Sequence, residues 1–399
     1  MNAPRLRVLQ VGKFYAPYRG GMETHLKDLC DGLRHAVDLE VLVANTTRET
    51  LHETVDGIPV TRVAAHGRIK ATSIAPGYLH ELAQTPADVV HLHAPNPMAE
   101  LALLAAPRRA RVVVTWHSDV VRQRVLGRLY RPVSRRLLAR ADAICVATPN
   151  HVRSSSVLPA FAGKCRTCAF GVDLDTLQAD DAAVAAIRAQ HGARPIVLGA
   201  GRLVYYKGFE VLIEAMQGLD ATLLIAGDGE RRPALAARIR ALGLQDRVHL
   251  LGAPDDLRPL FAACDVFALP STHRSEAFGI VQLEAMAFRK PVVSTRLGTG
   301  VDWVNAHGLT GLTVPPGDAG ALRQALATLL VSPALRERFG ATGRRRVEQE
   351  YTTARAAEAV LAVYRELTWG LSTSGLSTSG LSTSRPGAAP DRERTRDVA

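Results

Sequence analysis

The 399-residue sequence predicts two α/β domains, each a doubly wound, mostly parallel sheet. Two observations carry this. Short apolar runs rich in Val, Ile and Leu alternate with amphipathic stretches of helical period, the pattern of right-handed βαβ crossovers. The alternation pauses once, near AFGVDLD (169–175), and then restarts, which divides the chain near residue 171. The length agrees, at roughly 150 residues per domain.

In the first half LRVLQVG (6–12), LEVLVAN (39–45), ADVVHLHAP (87–95), RVVVTWHS (111–118) and ADAICVATP (141–149) read as buried strands. Their near-continuous apolar character suits a sheet covered on both faces. Glu23–His35 and Arg122–Ala139 carry helical periodicity between them. The second series is RPIVLGAGRL (194–203), ATLLIAGDG (221–229), RVHLLGA (247–253), CDVFALPS (264–271) and KPVVSTRLG (290–298). Helices fit 208–218, 231–242, 254–263, 279–288 and 318–330, and a further helical block over 333–367 closes the fold. The expected units are 1–170, 171–350 and a closing helix, 351–369, packing back toward the first domain. From 370 the chain is GLSTSGLSTSGLSTS and then RPGAAPDRERTRDVA. That segment holds too little apolar surface to offset ordering entropy, so a disordered spacer is expected.

Composition narrows the function classes. Apolar residues make up 47% and charged residues 22%, which excludes a mostly disordered chain. No uncharged apolar run reaches about 18 residues, and the N-terminus lacks a signal-peptide pattern, so a cytoplasmic protein is expected. Five scattered cysteines (Cys30, Cys145, Cys165, Cys168, Cys264) fit reduced thiols. The net charge of +11 is uneven. Residues 1–170 hold 23 Lys/Arg against 13 Asp/Glu, whereas 171–369 hold 22 of each. The first half therefore points to an anionic partner: nucleic acid, a membrane surface or a phosphorylated substrate. VRQRVLGRLYRPVSRRLLAR (121–140) has seven arginines and no acid. It fits either a solvated basic face or a helix lying on anionic lipid, with Arg122, Arg124 and Arg128 as contacts. Pro132 is expected to break or kink it.

Four motifs carry chemistry. Glu276 and Glu284, eight residues apart, flank a strand-to-helix turn containing Phe278, Gly279 and Ile280. Free N–H groups at a helix start suit a phosphate, and carboxylates suit paired sugar hydroxyls. Gly201-Arg202 and Lys207-Gly208 lie between an apolar strand and a helix, where two cations can face one diphosphate. Both loops fall at the carboxyl ends of strands, where open α/β sheets bind ligands. Gly20-Gly21 permits close backbone approach to a ligand, and it is not the G-x-G-x-x-G dinucleotide pattern. His117 in TWHSD ends a buried strand and can face a cleft, with Asp119 able to cap the next helix. Each motif alone also fits a structural or solvated role. Asp173-Leu174-Asp175 has the spacing of a metal-binding Asp-x-Asp but reads as a hinge or cap, and Cys165-x-x-Cys168 lacks the second pair of a zinc site.

Taken together these motifs resemble the family 4 retaining glycosyltransferases of GT-B fold. Glu276-x7-Glu284 is similar to that family's E-x7-E signature, Gly201-Arg202 with Lys207-Gly208 to its G-R-x4-K-G loop, Gly20-Gly21 to its N-terminal Gly-Gly loop, and IAGDGE (225–230), with Gly227 and Gly229, to its G-x-G turn. GLTGLTVPPGD (308–318) is similar to a late loop, and the match spans about 5–367. TWHSDVVRQ and TGVDWVNAHG (299–308) further resemble bacterial mannosyl- and rhamnosyltransferases of surface-polysaccharide assembly.

The resemblance implies two Rossmann-like domains facing across a cleft that holds a nucleotide-diphospho-sugar. Arg202 and Lys207 would then bind the diphosphate, Glu284 the ribose, and Glu276 and His117 the transferred sugar. The backbone of Phe278, Gly279 and Ile280, the turn at Gly227 and Gly229, and the loop at Gly20 and Gly21 would complete the donor site. It implies no metal and no cofactor, with mannose or a deoxyhexose moved from a GDP-sugar to a lipid-linked saccharide. Alternatives are a UDP-sugar donor, a nucleotide-sugar 2-epimerase of the same fold, or a basic nucleic-acid-binding or scaffold protein. Few aromatics and no helix-turn-helix or finger pattern speak against nucleic acid.

Overall fold

The apolar runs of the first half become one sheet. The computed structural model describes residues 5–18, 20–69, 72–107, 109–119 and 124–370. Strands β1 (Arg7–Val11), β2 (Asp38–Ala44), β3 (Leu51–Val55), β4 (Ile58–Val63), the short pair β5 (Arg68–Ile69) and β6 (Thr72–Ser73), β7 (Val89–Ala94), β8 (Arg111–Trp116), β9 (Ala143–Val146) and β10 (Cys165–Thr167) belong to this half. The main sheet has the order β10-β9-β8-β7-β1-β2-β4-β3 and is parallel except for the β3–β4 hairpin. Helices α2 (Tyr78–Gln84), α3 (Pro97–Ala105), α4 (Arg124–Arg140) and α5 (Pro149–Ser154) cover one face and α1 (Gly21–Leu33) the other. The sequence reading did not place the hairpin. Its signal is Asp56-Gly57, both at positive φ, the two-residue turn that matches strand twist. Of the break or kink expected at Pro132, the break does not occur, because α4 continues through that residue. A proline removes one backbone bond, and the packing of Leu137 and Leu138 into the core outweighs that loss here.

The second half repeats the scheme. β11 (Ile196–Ala200), β12 (Thr222–Ala226), β13 (Val248–Gly252), β14 (Val266–Leu269), β15 (Val292–Thr295) and β16 (Gly311–Val314) form a wholly parallel sheet of order β13-β12-β11-β14-β15-β16. Around it lie α6 (Asp181–His191), α7 (Phe209–Ala215), α8 (Arg232–Ala241), α9 (Arg258–Ala263), α10 (Val281–Ala287), α11 (Val301–Val304), α12 (Ala319–Leu330) and α13 (Pro333–Glu350). Each face of this sheet carries its own apolar core. The closing block is two helices, since the chain turns at Tyr351–Thr352 before α14 (Thr353–Trp369). α14 leaves the second domain and packs on α1, β8 and β9 of the first. The GLSTS tail, 371–399, lies outside the described residues.

The chain passes between the domains twice, and the passages touch at Val172 and Thr352. Gly171 makes this crossing possible, because a Cβ there would overlap the Thr352 backbone. Gly171→Ala should therefore cost about 1–3 kcal/mol by overpacking. A thermal unfolding midpoint equal to wild type would show that the crossing tolerates a side chain.

Candidate functional site

In the second domain the loops after β11 and β14 meet. Lys207 Nζ forms an ion pair of 2.7 Å with Glu276 Oε2, and both side chains are about nine-tenths buried. Ser271 Oγ donates to the same carboxylate oxygen at 2.9 Å, while Thr299 Oγ1 donates to the Glu276 carbonyl at 2.8 Å. The approach is close. Gly208 sits at φ +69 against the Pro270 carbonyl, where no Cβ would fit. Gly227, likewise at positive φ, packs under the Gly201 carbonyl, and Gly229 packs against Leu203. These two glycines therefore shape the Arg202 loop. Arg202 is exposed, and its guanidinium makes no ion pair or hydrogen bond with any described residue.

The turn into α10 is short of acceptors. Gly279 adopts φ +72, and the backbone N–H groups of Phe278, Gly279 and Ile280 donate to no described protein group. One turn later Glu284 is half-buried, its carboxylate without a hydrogen-bond partner among the described residues. Burial, then the negative charge of Asp28, pushes its carboxyl up to about 7. Free N–H donors, a free guanidinium, a held ammonium and a free carboxylate thus share one sheet edge. The arrangement suits an anion flanked by hydroxyl groups.

The first domain contributes neutral groups. His117 follows β8 and is buried with His93 of β7 and His25 of α1. His117 Nε2 and His93 Nδ1 are 3.0 Å apart, and the His25 ring lies 5.4 Å from that of His117. Burial holds all three well below the ordinary histidine value, His25 at about 3. The residues just before α4, where Asp119 would act as a cap, lie outside the described ones. Asp119 accepts from Trp116 Nε1 at 3.0 Å, Ser155 Oγ at 2.7 Å and Ser156 N at 2.7 Å, which ties the His117 loop to residues 155–156. Burial acts to raise the Asp119 pKa, but those donors hold it below the usual carboxylate range.

Phe170, in the linker, joins the halves: its ring lies 5.2 Å from His117, 4.1 Å from His25 and 5.0 Å from Phe278. Asn150 Nδ2 also donates to the Thr299 carbonyl across the cleft at 3.3 Å. Gly21, with open space around its Cα, starts α1, and His25 and Asp28 follow on the same helical face. Gly20 is the residue before that helix, and the Glu23 carboxylate folds over it. Sequence reasoning missed His25, Asp28, His93 and Phe170. The alternation His91-Leu92-His93 in an otherwise apolar strand was a usable signal, since period two puts both rings on one face.

Other expectations resolve differently. Arg122 lies outside the described residues. Arg124 and Arg128 belong to the first turns of α4, and their side chains are likewise outside them. Asp173 Oδ1 accepts from Asp175 N at 3.0 Å, a local turn. The donor atoms of His25, His93 and His117 lie within 4.8 Å of one another, so three imidazoles could in principle hold a metal. Such an ion would have to displace the His93–His117 hydrogen bond, and His93 Nε2 is already 3.0 Å from Gln10 Oε1.

Burial and neighbouring Asp31 push Asp28 up to about 7. A raised folded value favours the protonated folded state, so that stability is full below the unfolded value near 4 and is lost as pH rises through 7. Asp28→Asn should gain on wild type across that window by up to about 1.4 kcal/mol per pH unit. Denaturant unfolding at pH 5 and pH 8 checks it, and a gap independent of pH would remove Asp28 from the desolvated cleft.

Comparison with known proteins fits this geometry. The family description "Glycosyl transferase 4-like domain" matches residues 20–167, and "Glycosyl transferases group 1" matches 184–346. The chain is 34% identical to the D-rhamnosyltransferase WbpZ of Pseudomonas aeruginosa over 357 residues, which is 87% of this chain and 92% of that one. It is 31% identical to the O-antigen chain mannosyltransferase C of Escherichia coli over 367 residues, 91% and 99% of the two chains. The structure of Anabaena HepE, solved with UDP and glucose, superposes with a TM-score of 0.75 at 22% identity, covering 90% of this chain and 99% of HepE. Two facing parallel-sheet domains, and relatives matched over nearly their whole length, make this chain a member of the group 1, family 4 glycosyltransferases of GT-B fold.

Proposed function

We propose that this glycosyltransferase moves a hexose, mannose or a deoxyhexose, from a GDP-sugar to a lipid-linked saccharide in O-antigen or related lipopolysaccharide assembly, with retention and without a metal. The single observation that supports the donor site is the Lys207–Glu276 pair joining the loops after β11 and β14, the same loops that carry Arg202 and the free N–H groups of 278–280. The rhamnosyl- and mannosyltransferase relatives support the sugar class and the pathway.

In this reading the diphosphate lies between Arg202, Lys207 and the turn before α10. Glu284 accepts from the ribose hydroxyls. Glu276 orients Lys207 and accepts from the transferred sugar, and His117 contacts that sugar from the other domain. The acceptor hydroxyl oxygen bonds to the anomeric carbon on the face from which the phosphate leaves. The departing phosphate oxygen takes the acceptor proton, so no protein base is needed. The developing charge is on the leaving diphosphate, where each well-placed donor is worth roughly 3 kcal/mol. Arg202 and Lys207 therefore act on the transition state and Glu284 mainly on binding.

The basic helix α4 supports a membrane-facing acceptor. It packs beside α3, which packs beside α2, and exposed Leu101 and Leu79 lie on those two helices. Apolar side chains beside a basic helix fit an anionic lipid interface. No described helix is long and apolar enough to cross a membrane.

Lys207→Ala should lower kcat by about 100-fold or more, the size of a lost oxyanion donor. Glu284→Ala should mainly weaken donor binding. GDP should raise the melting temperature without Mg²⁺, and more than UDP does; stabilisation by UDP alone would move the donor to the uridine series. Wild-type activity in both variants would end the assignment. Because Glu284 binds as the anion, nucleotide affinity should fall about tenfold per pH unit below 7. Glu284→Gln should flatten that dependence. Replacing Arg122, Arg124 and Arg128 with Ser should reduce co-sedimentation with phosphatidylglycerol vesicles, and unchanged sedimentation would refute membrane docking.

A further inference from the structure

Beneath the His117 loop, one face of the first sheet carries polar side chains among apolar neighbours. Gln10 of β1, His91 and His93 of β7 and Thr115 of β8 occupy adjacent positions, with Gln10 paired to His91 and His93 to Thr115 in the strand register. All four are buried. Tyr364 of α14 lies over them, its side chain fully buried. A run of five contacts links these groups. Thr115 Oγ1 to His91 Nε2 is 2.7 Å, His91 Nδ1 to Tyr364 Oη is 2.6 Å, and Gln10 Nε2 to Tyr364 Oη is 2.9 Å. Gln10 Oε1 to His93 Nε2 is 3.0 Å, and His93 Nδ1 to His117 Nε2 is 3.0 Å.

The placement of the Gln10 amide gives the run a direction. Its Oε1 can only accept, so His93 Nε2 carries the hydrogen. Burial keeps His93 and His117 neutral, so each ring has one N–H. His93 Nδ1 is then bare and accepts from His117 Nε2–H. That leaves His117 Nδ1 as an acceptor, with no partner among the described residues. On the other side, Gln10 Nε2 donates to Tyr364, whose hydroxyl hydrogen goes to His91 Nδ1, and His91 Nε2–H donates to Thr115. Turning the amide over would reverse every link and make His117 Nδ1 a donor. The tautomer facing the cleft is therefore set by one amide, and that amide is held by Tyr364.

We propose that Gln10 and Tyr364 are positioning residues that, through His93, hold His117 as the Nε2–H tautomer so that its Nδ1 accepts a hydrogen bond from a hydroxyl of the transferred hexose. This rests on reading His117 as a donor-sugar contact. The role is specific. An acceptor at His117 requires a hydroxyl hydrogen on the sugar atom it faces, and a keto or deoxy group there leaves the buried imidazole unpaired. It also gives α14 a function besides tying the domains together, because that helix supplies the hydroxyl that anchors the amide.

The test reads the tautomer directly. Wild-type protein labelled with ¹⁵N-histidine, without substrate at pH 7.5, should show a neutral His117 protonated at Nε2, the signal being assigned by its loss in His117→Ala. Tyr364→Phe keeps the ring and frees the amide, so His93 and His117 should become tautomer mixtures. kcat should fall about tenfold while the affinities for GDP and UDP stay at wild-type values. Gln10→Leu is the second variant and should shift the tautomers in the same way should Tyr364→Phe fold poorly. A His117 protonated at Nδ1 in the wild type, or a tautomer that neither variant moves, overturns the proposal, as does a shifted tautomer with wild-type kcat. His117→Ala with wild-type kcat/KM would instead overturn the sugar-contact reading while the tautomer result stands.

Discussion

The ion pair between Lys207 and Glu276 is the constraint on which the second-domain site depends. Its partners come from loops after different strands, β11 and β14, and both are nearly buried. Removing either partner leaves an uncompensated charge in a poorly solvated place, a penalty of roughly 3–5 kcal/mol. The two loops are therefore held in one relative position. The glycine contacts follow from that: Gly208 lies against Pro270, Gly201 under the Lys207 side chain, and Gly227 under Gly201. A ligand meets a scaffold already assembled, in which Lys207 is oriented but partly neutralised and Arg202 is neither. Division of labour between the two cations follows from that difference in pairing, not from their residue types.

The other side of the cleft works by the opposite principle. His25, His93 and His117 carry no charge near neutral pH because burial penalises the imidazolium. Such a surface discriminates by hydrogen-bond direction and shape, and adds nothing to the attraction of a diphosphate. Charge is concentrated where a leaving group would sit, and neutral polar groups are placed where a sugar would sit. Phe170 lies against His25 and His117 on one side and the Phe278 ring on the other, an apolar group at the boundary between the halves.

Much of this was legible in the sequence, and the rest had physical reasons to be hidden. Parallel strands buried on both faces read as apolar runs, so the cores of β1, β2, β7 to β9, β11 to β15 were marked by composition alone. Loops at strand ends were legible because Gly201, Gly208 and Gly279 punctuate them, beside the residues Arg202, Lys207, Glu276 and Glu284. The histidine network was not, because it depends on which strands are neighbours. Gln10, His93 and His117 are far apart in sequence and meet only when β1, β7 and β8 pair. Tyr364 is further still: it arrives from the end of the chain, on a helix whose periodicity says that it packs but not against what. Asp28 was not singled out, since nothing local says that a carboxylate of the second domain will lie near it.

That last point bears on how the cleft behaves as a unit. Burial and then the charge of Asp28 in the first domain raise the proton affinity of Glu284 in the second. While both are charged, they oppose any narrowing of the gap between the domains. Protonation of one relieves the repulsion, and so does a ligand that donates hydroxyl hydrogens to Glu284. A ribose bound as proposed would do the second at neutral pH. The carboxylate proposed to bind the donor is thus also the one that Asp28 repels across the cleft. The chain crosses between the domains at 171–172 and 351–353, where Gly171 packs tightly on the Thr352 backbone. On the proposed role of Glu284, a bound ribose would relieve the repulsion between Asp28 and Glu284, so the donor would act on both domains through that one carboxylate.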